Sequence, residues 1–112
     1  MSARFAVYLC PDPTGPAWAA GAEWLGYCAA TGKRRRQPAI PGIAPALLSA
    51  LTAAPRRYGF HATLKAPFHL ARGATRARLV RQLWQVAGAE RACDGPTFDV
   101  RLHAGFLAPA PD

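Results

Sequence analysis

The segment that decides the fold spans residues 57–68 and has the sequence RYGFHATLKAPF. Polar and apolar residues alternate through its centre, as they do in a half-exposed β-strand. If residues 60–66 are extended, the polar side chains point to one face, and they are His61, Thr63 and Lys65. The opposite face carries only apolar residues, so we expect it to pack on a hydrophobic core; they are Phe60, Ala62, Leu64 and Ala66.

Helices and strands are predicted on both sides of this segment. We expect strands at residues 4–10 and 97–102 and helices at 16–27, 45–54 and 76–91, with Thr75 as the N-cap of the last helix. Residues 28–44 are rich in turn residues and predict a long loop. This order of elements indicates an α+β fold, a small and mainly antiparallel sheet with helices on one face.

Length and composition limit the class of protein. The 112 residues suffice for one domain and no linker divides them, so we expect a single domain over residues 1–112. Hydrophobic residues make up 51%, which excludes a disordered chain, and no apolar run is long enough to span a membrane. The three cysteines lie far apart without a Cys-x-x-Cys pair, which favours reduced thiols in a cytoplasm.

The net charge of +8 favours anionic partners. Twelve of the fourteen basic residues are arginine, a bias typical of GC-rich coding sequences, so part of this charge reflects composition. The basic run Lys33–Arg36 lies between turn residues and indicates a solvated loop rather than a nucleic-acid contact.

The polar face of the central segment carries the groups that a phosphate site needs. His61 offers an imidazole for proton transfer, Thr63 a hydroxyl donor and Lys65 a cation. We expect Tyr58, and His69 beyond Pro67, to border the same cleft. On spacing alone, an ordinary surface histidine remains the alternative. No phosphate-binding glycine loop and no metal-ligand spacing is present in the sequence, so neither a cofactor nor a metal is expected.

Residues 56–68, RRYGFHATLKAPF, resemble a family of bacterial phosphonate metabolism proteins within the two-histidine phosphoesterase superfamily. Similar stretches occur at 4–9, 24–26, 37–42 and 105–108, so the likeness extends over the chain. The resemblance implies one lobe of a bilobed fold, in which each lobe contributes a His-x-Thr/Ser motif to a central cleft. It implies that His61 transfers a proton and that Thr63 binds a phosphate oxygen. The strand alternation, and not the resemblance, predicts that Lys65 binds substrate. We expect Tyr58 and Arg57 to bind substrate as well.

The second His-x-Thr/Ser motif of that family is not found in this sequence. His69 and His103 are the other histidines, and neither is followed by a hydroxyl residue two positions later. We therefore expect a truncated, half-length member, the N-terminal lobe, completed by a missing C-terminal lobe or by a second copy in a homodimer.

The expected function is that of a metal-independent, phosphoesterase-like lobe. Its substrate would be a phosphodiester or cyclic phosphate of a ribose-like compound or nucleotide, with a link to phosphonate metabolism. The alternatives are a non-catalytic basic module that binds RNA or a phosphorylated ligand, and an inert fragment. Ligand binding by a phosphoesterase lobe would depend on Thr63, whereas RNA binding by a basic module would depend on the 33–36 loop.

Overall fold

A computed structural model describes residues 3–111, and at positions 106 and 107 it describes the backbone only. In chain order the elements are β1 (Arg4–Leu9), α1 (Pro16–Leu25), β2 (Tyr27–Cys28), β3 (Lys33–Arg34), α2 (Pro45–Leu51), α3 (Ala53–Arg56), β4 (Ala62–His69), α4 (Arg76–Ala89), β5 (Phe98–His103) and β6 (Phe106–Pro111). The described strands pair as β1 with β4, β2 with β3 and β5 with β6, always antiparallel. The predicted α+β class is therefore confirmed; the described strands form three two-stranded antiparallel sheets where the sequence predicted one small, mainly antiparallel sheet.

The chain divides into two compact units, the first ending at Ala71 and the second beginning at Arg72. The expectation of a single domain over residues 1–112 stays a prediction. No helix among the described residues is both long and apolar enough to cross a membrane.

The core of the first unit forms around helix α1. Trp18, Ala22 and Cys28 form one buried cluster, and Leu25 and Leu48 are buried as well. Helix α1 starts with a proline, whose missing N–H costs nothing in the first turn. It ends at Gly26, whose φ of 70° lets the chain turn directly into β2.

Strands β1 and β4 form a two-stranded ribbon with an irregular register. The paired positions are Arg4 with His69, Phe5 with Phe68, Val7 with Lys65, Tyr8 with Thr63 and Leu9 with Ala62. Between these pairs β4 has one extra residue at Ala66–Pro67 and another at Leu64. Proline is tolerated at such an irregularity because it has no N–H to donate. The strand therefore runs through Pro67 to His69, where the sequence predicted a break.

The expectation that the apolar side chains of residues 60–66 pack on a core is wrong for Leu64, whose side chain is 66% exposed. Phe60 lies before β4 and contacts helix α1, while 43% of its surface remains exposed. Leu64 is the extra residue of a register shift, and an isolated two-stranded ribbon offers little surface against which to bury it.

Two further segments differ from the sequence expectation. The predicted loop over residues 28–44 begins with a short hairpin, because β2 and β3 pair there. The predicted helix at 45–54 is divided at Thr52, and Pro55 lies inside the second piece, α3, rather than after the helix.

The second unit consists of α4 and the hairpin β5–β6. The Thr75 hydroxyl accepts a hydrogen bond from the backbone N–H of Arg78 at 3.2 Å, which confirms the predicted N-cap. The hairpin turns at Ala104 and Gly105, whose φ angles of 47° and 83° are both positive, as in the tightest two-residue turns. Strand β6 was not predicted.

Candidate functional site

The imidazole of His61 is held by hydrogen bonds at both ring nitrogens. Nδ1 lies 2.8 Å from the carbonyl oxygen of Gly59, and Nε2 lies 3.2 Å from the hydroxyl oxygen of Thr63. A carbonyl oxygen can only accept, so Nδ1 carries the proton and donates it to Gly59. In the neutral ring Nε2 then bears the lone pair and accepts from the Thr63 hydroxyl. This arrangement makes Nε2 the basic atom of the ring.

Tyr8 of β1 completes this group of side chains. Its ring stacks on the His61 ring with a centroid separation of 3.7 Å and an interplanar angle of 22°. Tyr8 also pairs with Thr63 across the ribbon, and cross-strand partners present their side chains on the same face. We call Tyr8, His61 and Thr63 the His61 site. Sequence analysis missed Tyr8, because only the strand register reveals which residue of β1 faces Thr63.

The backbone of residues 59 and 60 positions the His61 ring. Gly59 has a φ of 77°, which turns its carbonyl towards Nδ1, and a Cβ there would lie 3.0 Å from the Cβ of Ala29. Phe60 packs directly on helix α1 at Gly21, where a Cβ would lie 2.5 Å from the Phe60 Cγ. The core helix thus fixes Phe60, the residue before His61.

Lys65 does not share the face of Thr63, as uninterrupted alternation predicted. Lys65 pairs with Val7, whereas Thr63 pairs with Tyr8, and neighbouring residues of β1 point to opposite faces. In agreement with this register, the Lys65 Nζ lies 5.9 Å from the ring centroid of Phe68, which contacts Phe5 on that side. The extra residue at Leu64 is the physical reason, because it reverses the alternation between positions 63 and 65.

The other predicted site residues lie at different places. The side chain of Tyr58 is 55% exposed. Arg57 ends helix α3 and lines an open cavity of about 260 Å³. Within residues 3–111 no hydrogen bond or ring contact joins either of them to His61. Their role in substrate binding, like that of Lys65, stays a prediction.

The ribbon places two more charged or titratable side chains on the face of the His61 site. Arg4 lies four positions before Tyr8 on β1 and therefore shares its face, and His69 is its cross-strand partner. The sequence placed His69 beyond the strand; the structure shows it at the end of β4. Among the described residues no group of three or more His, Cys, Asp or Glu side chains is arranged to hold a metal ion.

Cys28 is the buried thiol of the first unit. Hydrogen bonds from the Thr31 hydroxyl, then from the Trp18 indole, lower the pKa of this thiol from 9.0 to about 6, against the opposing effect of burial. The indole Nε1 donates to Sγ at 3.3 Å. With only 2% of its surface exposed, Cys28 contributes to the core and is shielded from solutes.

Comparison with known proteins gives three findings. A family model for a protein of unknown function, DUF1045, matches residues 63–112, a range that includes Thr63 and excludes His61. A protein of Janthinobacterium sp. (strain Marseille), named ribose 1,5-bisphosphate phosphokinase PhnN, is 43% identical over 105 residues, which cover 94% of this chain and 23% of the relative. A protein of the same name from Laribacter hongkongensis (strain HLHK9) is 46% identical over 108 residues, covering 96% of this chain and 25% of the relative.

No solved structure matches the chain. The chain spans about a quarter of the length of these curated relatives, at 23% and 25%. This sequence contains no Gly-Lys-Ser/Thr phosphate-binding loop. The sequence similarity therefore applies to about one quarter of each relative and says nothing about the rest.

Proposed function

We propose that the chain is a phosphoesterase-like lobe that contributes His61 and Thr63 to the cleavage of a phosphodiester or cyclic phosphate on a ribose-like compound or nucleotide. The observation that carries this proposal is the pair of hydrogen bonds that hold the His61 ring at both nitrogens. Its Nδ1 is held by the Gly59 carbonyl, so the basic Nε2 lies 3.2 Å from a hydroxyl that is itself a hydrogen-bond donor.

The proposed reaction is hydrolysis of a phosphorus–oxygen bond. Water attacks phosphorus, one base takes the proton of that water, and an acid protonates the oxygen that leaves. His61 Nε2 serves as one of these two groups. When substrate binds, the Thr63 hydroxyl turns away from Nε2 and donates to a non-bridging oxygen as charge develops there, which leaves the Nε2 lone pair free. A second His-x-Thr/Ser motif, from another lobe or a second copy of this chain, supplies the other group.

The relatives support the class of substrate. Their name describes a kinase that acts on a phosphorylated ribose. Hydrolysis of a ribose cyclic phosphate yields a ribose phosphate, so the two activities would act on compounds of one class. The proposal includes a link to phosphonate metabolism, a cytoplasmic location and chemistry that needs no metal.

The proposal is tested by incubating the chain with a nucleoside 2′,3′-cyclic phosphate and following ring opening by phosphorus NMR. We expect slow turnover, about 10²–10⁴-fold below that of a complete two-histidine site, because one proton-transfer group is absent. His61→Gln is expected to abolish this turnover. His103→Gln, which changes an exposed histidine of β5, serves as the control.

A second measurement covers the case in which turnover is too slow to detect. Addition of the cyclic phosphate is expected to shift the nitrogen resonances of the His61 ring, and of no ring in the His61→Gln variant. Equal turnover in wild type and His61→Gln would refute the proposal, and so would the lack of both turnover and a His61 shift.

A further inference from the structure

A second cavity of the first unit is lined by arginines and lies outside the His61 site. It has a volume of about 320 Å³. We call it the arginine cavity; its lining residues are Gly26, Tyr27, Gly32, Arg34, Arg35, Gln37, Ser49 and Arg56. Three of these eight residues are cationic and none is acidic. Arg34 and Arg35 belong to the basic run that the sequence alone indicated to be a solvated loop.

The walls of the arginine cavity are built by close backbone contacts. Arg34 of β3 pairs with Tyr27 of β2, so both side chains lie on one face of that hairpin. The backbone N–H of Arg35 donates to the carbonyl of Gly26 at 3.0 Å. A Cβ at Gly26 would lie 2.9 Å from the Cγ of Gln37, so the loop and the helix end touch here without a side chain between them.

The side chain of Gln37 is held in place by two hydrogen bonds. Its amide nitrogen donates to the Trp24 carbonyl at 2.7 Å and to the Thr52 hydroxyl at 2.8 Å. Both amide donors are thereby used, and the side-chain oxygen remains as an acceptor. This oxygen could accept a hydrogen bond from a hydroxyl group of a ligand in the cavity.

Arg56 is a partly buried cation held without a carboxylate. Its guanidinium donates to the carbonyls of Leu25 at 2.7 Å and Ser49 at 2.9 Å, and to the Thr52 hydroxyl at 3.0 Å. These acceptors hold the guanidinium in one orientation but leave its charge uncompensated, because no described acidic residue lines the cavity. A partly buried charge of this kind favours an anion as its partner.

We propose that the arginine cavity binds the phosphate group of a small phosphorylated compound. Arginine suits this ligand because its planar donors match two oxygens of a phosphate. Tyr27, Ser49 and Gln37 add polar groups able to bond the hydroxyls of a sugar. The volume of about 320 Å³ lies at the small end of ligand cavities, which suits a sugar phosphate better than a polymer.

A more open cavity adjoins the arginine cavity. It has a volume of about 260 Å³, shares Tyr27 and Arg56, and adds Ala53 and Arg57. Arg57 precedes His61 by four residues, so their Cα atoms are at most about 14 Å apart. The anion site stands independently of the proposed chemistry at His61, since it rests on other residues.

The test is calorimetric titration of the chain with ribose 5-phosphate, inorganic phosphate and ribose. We expect the two phosphate-bearing probes to bind and ribose to bind at least tenfold more weakly. The double variant Arg34→Gln with Arg35→Gln should weaken ribose 5-phosphate binding at least tenfold. Both side chains are exposed, so circular dichroism is expected to show an unchanged fold.

The double variant Lys33→Gln with Arg36→Gln is the matched control, because it removes the same two charges from the same basic run at positions that do not line the cavity. It should change the affinity less than twofold, and so should His61→Gln, which tests the proposed function separately. An equal loss in the variant Lys33→Gln with Arg36→Gln would overturn the proposal in favour of diffuse charge attraction. Tight, salt-dependent binding of single-stranded RNA that ribose 5-phosphate fails to displace would overturn it in favour of a nucleic-acid surface.

Discussion

The orientation of the His61 ring depends on the two residues before it. Gly59 supplies the carbonyl that holds Nδ1, and Phe60 anchors the chain on helix α1. The anchor works because Gly21 has no side chain, so the aromatic ring approaches the helix backbone closely. A site on an exposed ribbon thereby gains a fixed attachment to the core of its unit.

Replacing Gly21 by alanine tests this attachment. A Cβ at position 21 would lie 2.5 Å from the Phe60 Cγ, so Phe60 must move or the helix must shift. Overpacking costs about 1–3 kcal/mol, and alanine returns up to about 1 kcal/mol of helix propensity. We expect the free energy of unfolding to fall by about 1–2 kcal/mol, measured by urea denaturation.

Gly88→Ala is the control, because Gly88 is also helical and its Cβ would meet no atom within 4 Å. It should leave stability unchanged or raise it. If Gly21→Ala and Gly88→Ala behave alike, the close approach of Phe60 does not position the site.

The register of the ribbon β1–β4 determines which side chains of residues 57–68 lie on the same face. Its register shift at Leu64 brings Thr63 to the face of Tyr8 and Lys65 to the face of Val7. We therefore expect Thr63→Val to lower cyclic phosphate turnover by about 10²-fold, as loss of one oxyanion donor does. Lys65→Ala, on the other face of the ribbon, should lower turnover much less than Thr63→Val in the same phosphorus NMR assay. A larger loss in Lys65→Ala than in Thr63→Val would contradict the register.

The sequence predicted the elements better than their irregularities. Alternation and turn residues located β1, β4 and β5, and the apolar stripe located α4. The extra residue at Leu64 has no such signal, because it depends on which residues of a distant strand β4 pairs with. His61 and Thr63 were identified from local residue types, whereas Tyr8 needed the register.

Strand β6 was missed for a different reason. Pro109 and Pro111 argue against a strand, since proline cannot donate to a ladder. In a two-stranded hairpin each strand has an outer edge that needs no partner, so these prolines are tolerated. In the turn at Ala104–Gly105, only the glycine is a residue type that predicts a tight hairpin turn.

Across the whole molecule, large apolar side chains remain exposed. Trp84 is 75% exposed, Val100 73% and Leu102 72%. The second unit has no buried residue among those described. Exposed apolar surface of this kind usually marks an interface or a tendency to aggregate.

We expect the chain to self-associate at micromolar concentrations, by sedimentation velocity. Trp84→Glu should weaken this association, because it places a charge on a strongly exposed aromatic position. Gln85→Glu adds the same charge at the next residue of helix α4 and should have a smaller effect. A monomer at all concentrations in the wild type would contradict the expectation, and with it the proposal that a second copy completes the site.

The pairing of β1 with β4 also sets the order in which the site can form. Tyr8 and His61 are about fifty residues apart, so bringing them together costs about 3–4 kcal/mol of chain entropy before their rings touch. At a synthesis rate of about 5–20 residues per second, β1 waits several seconds on the ribosome for its partner. Helix α1 and the hairpin β2–β3 can form in that interval from neighbouring residues. The stacked rings are therefore a late event in folding, and a nascent chain that stops before residue 63 lacks both the ladder and the Thr63 hydroxyl.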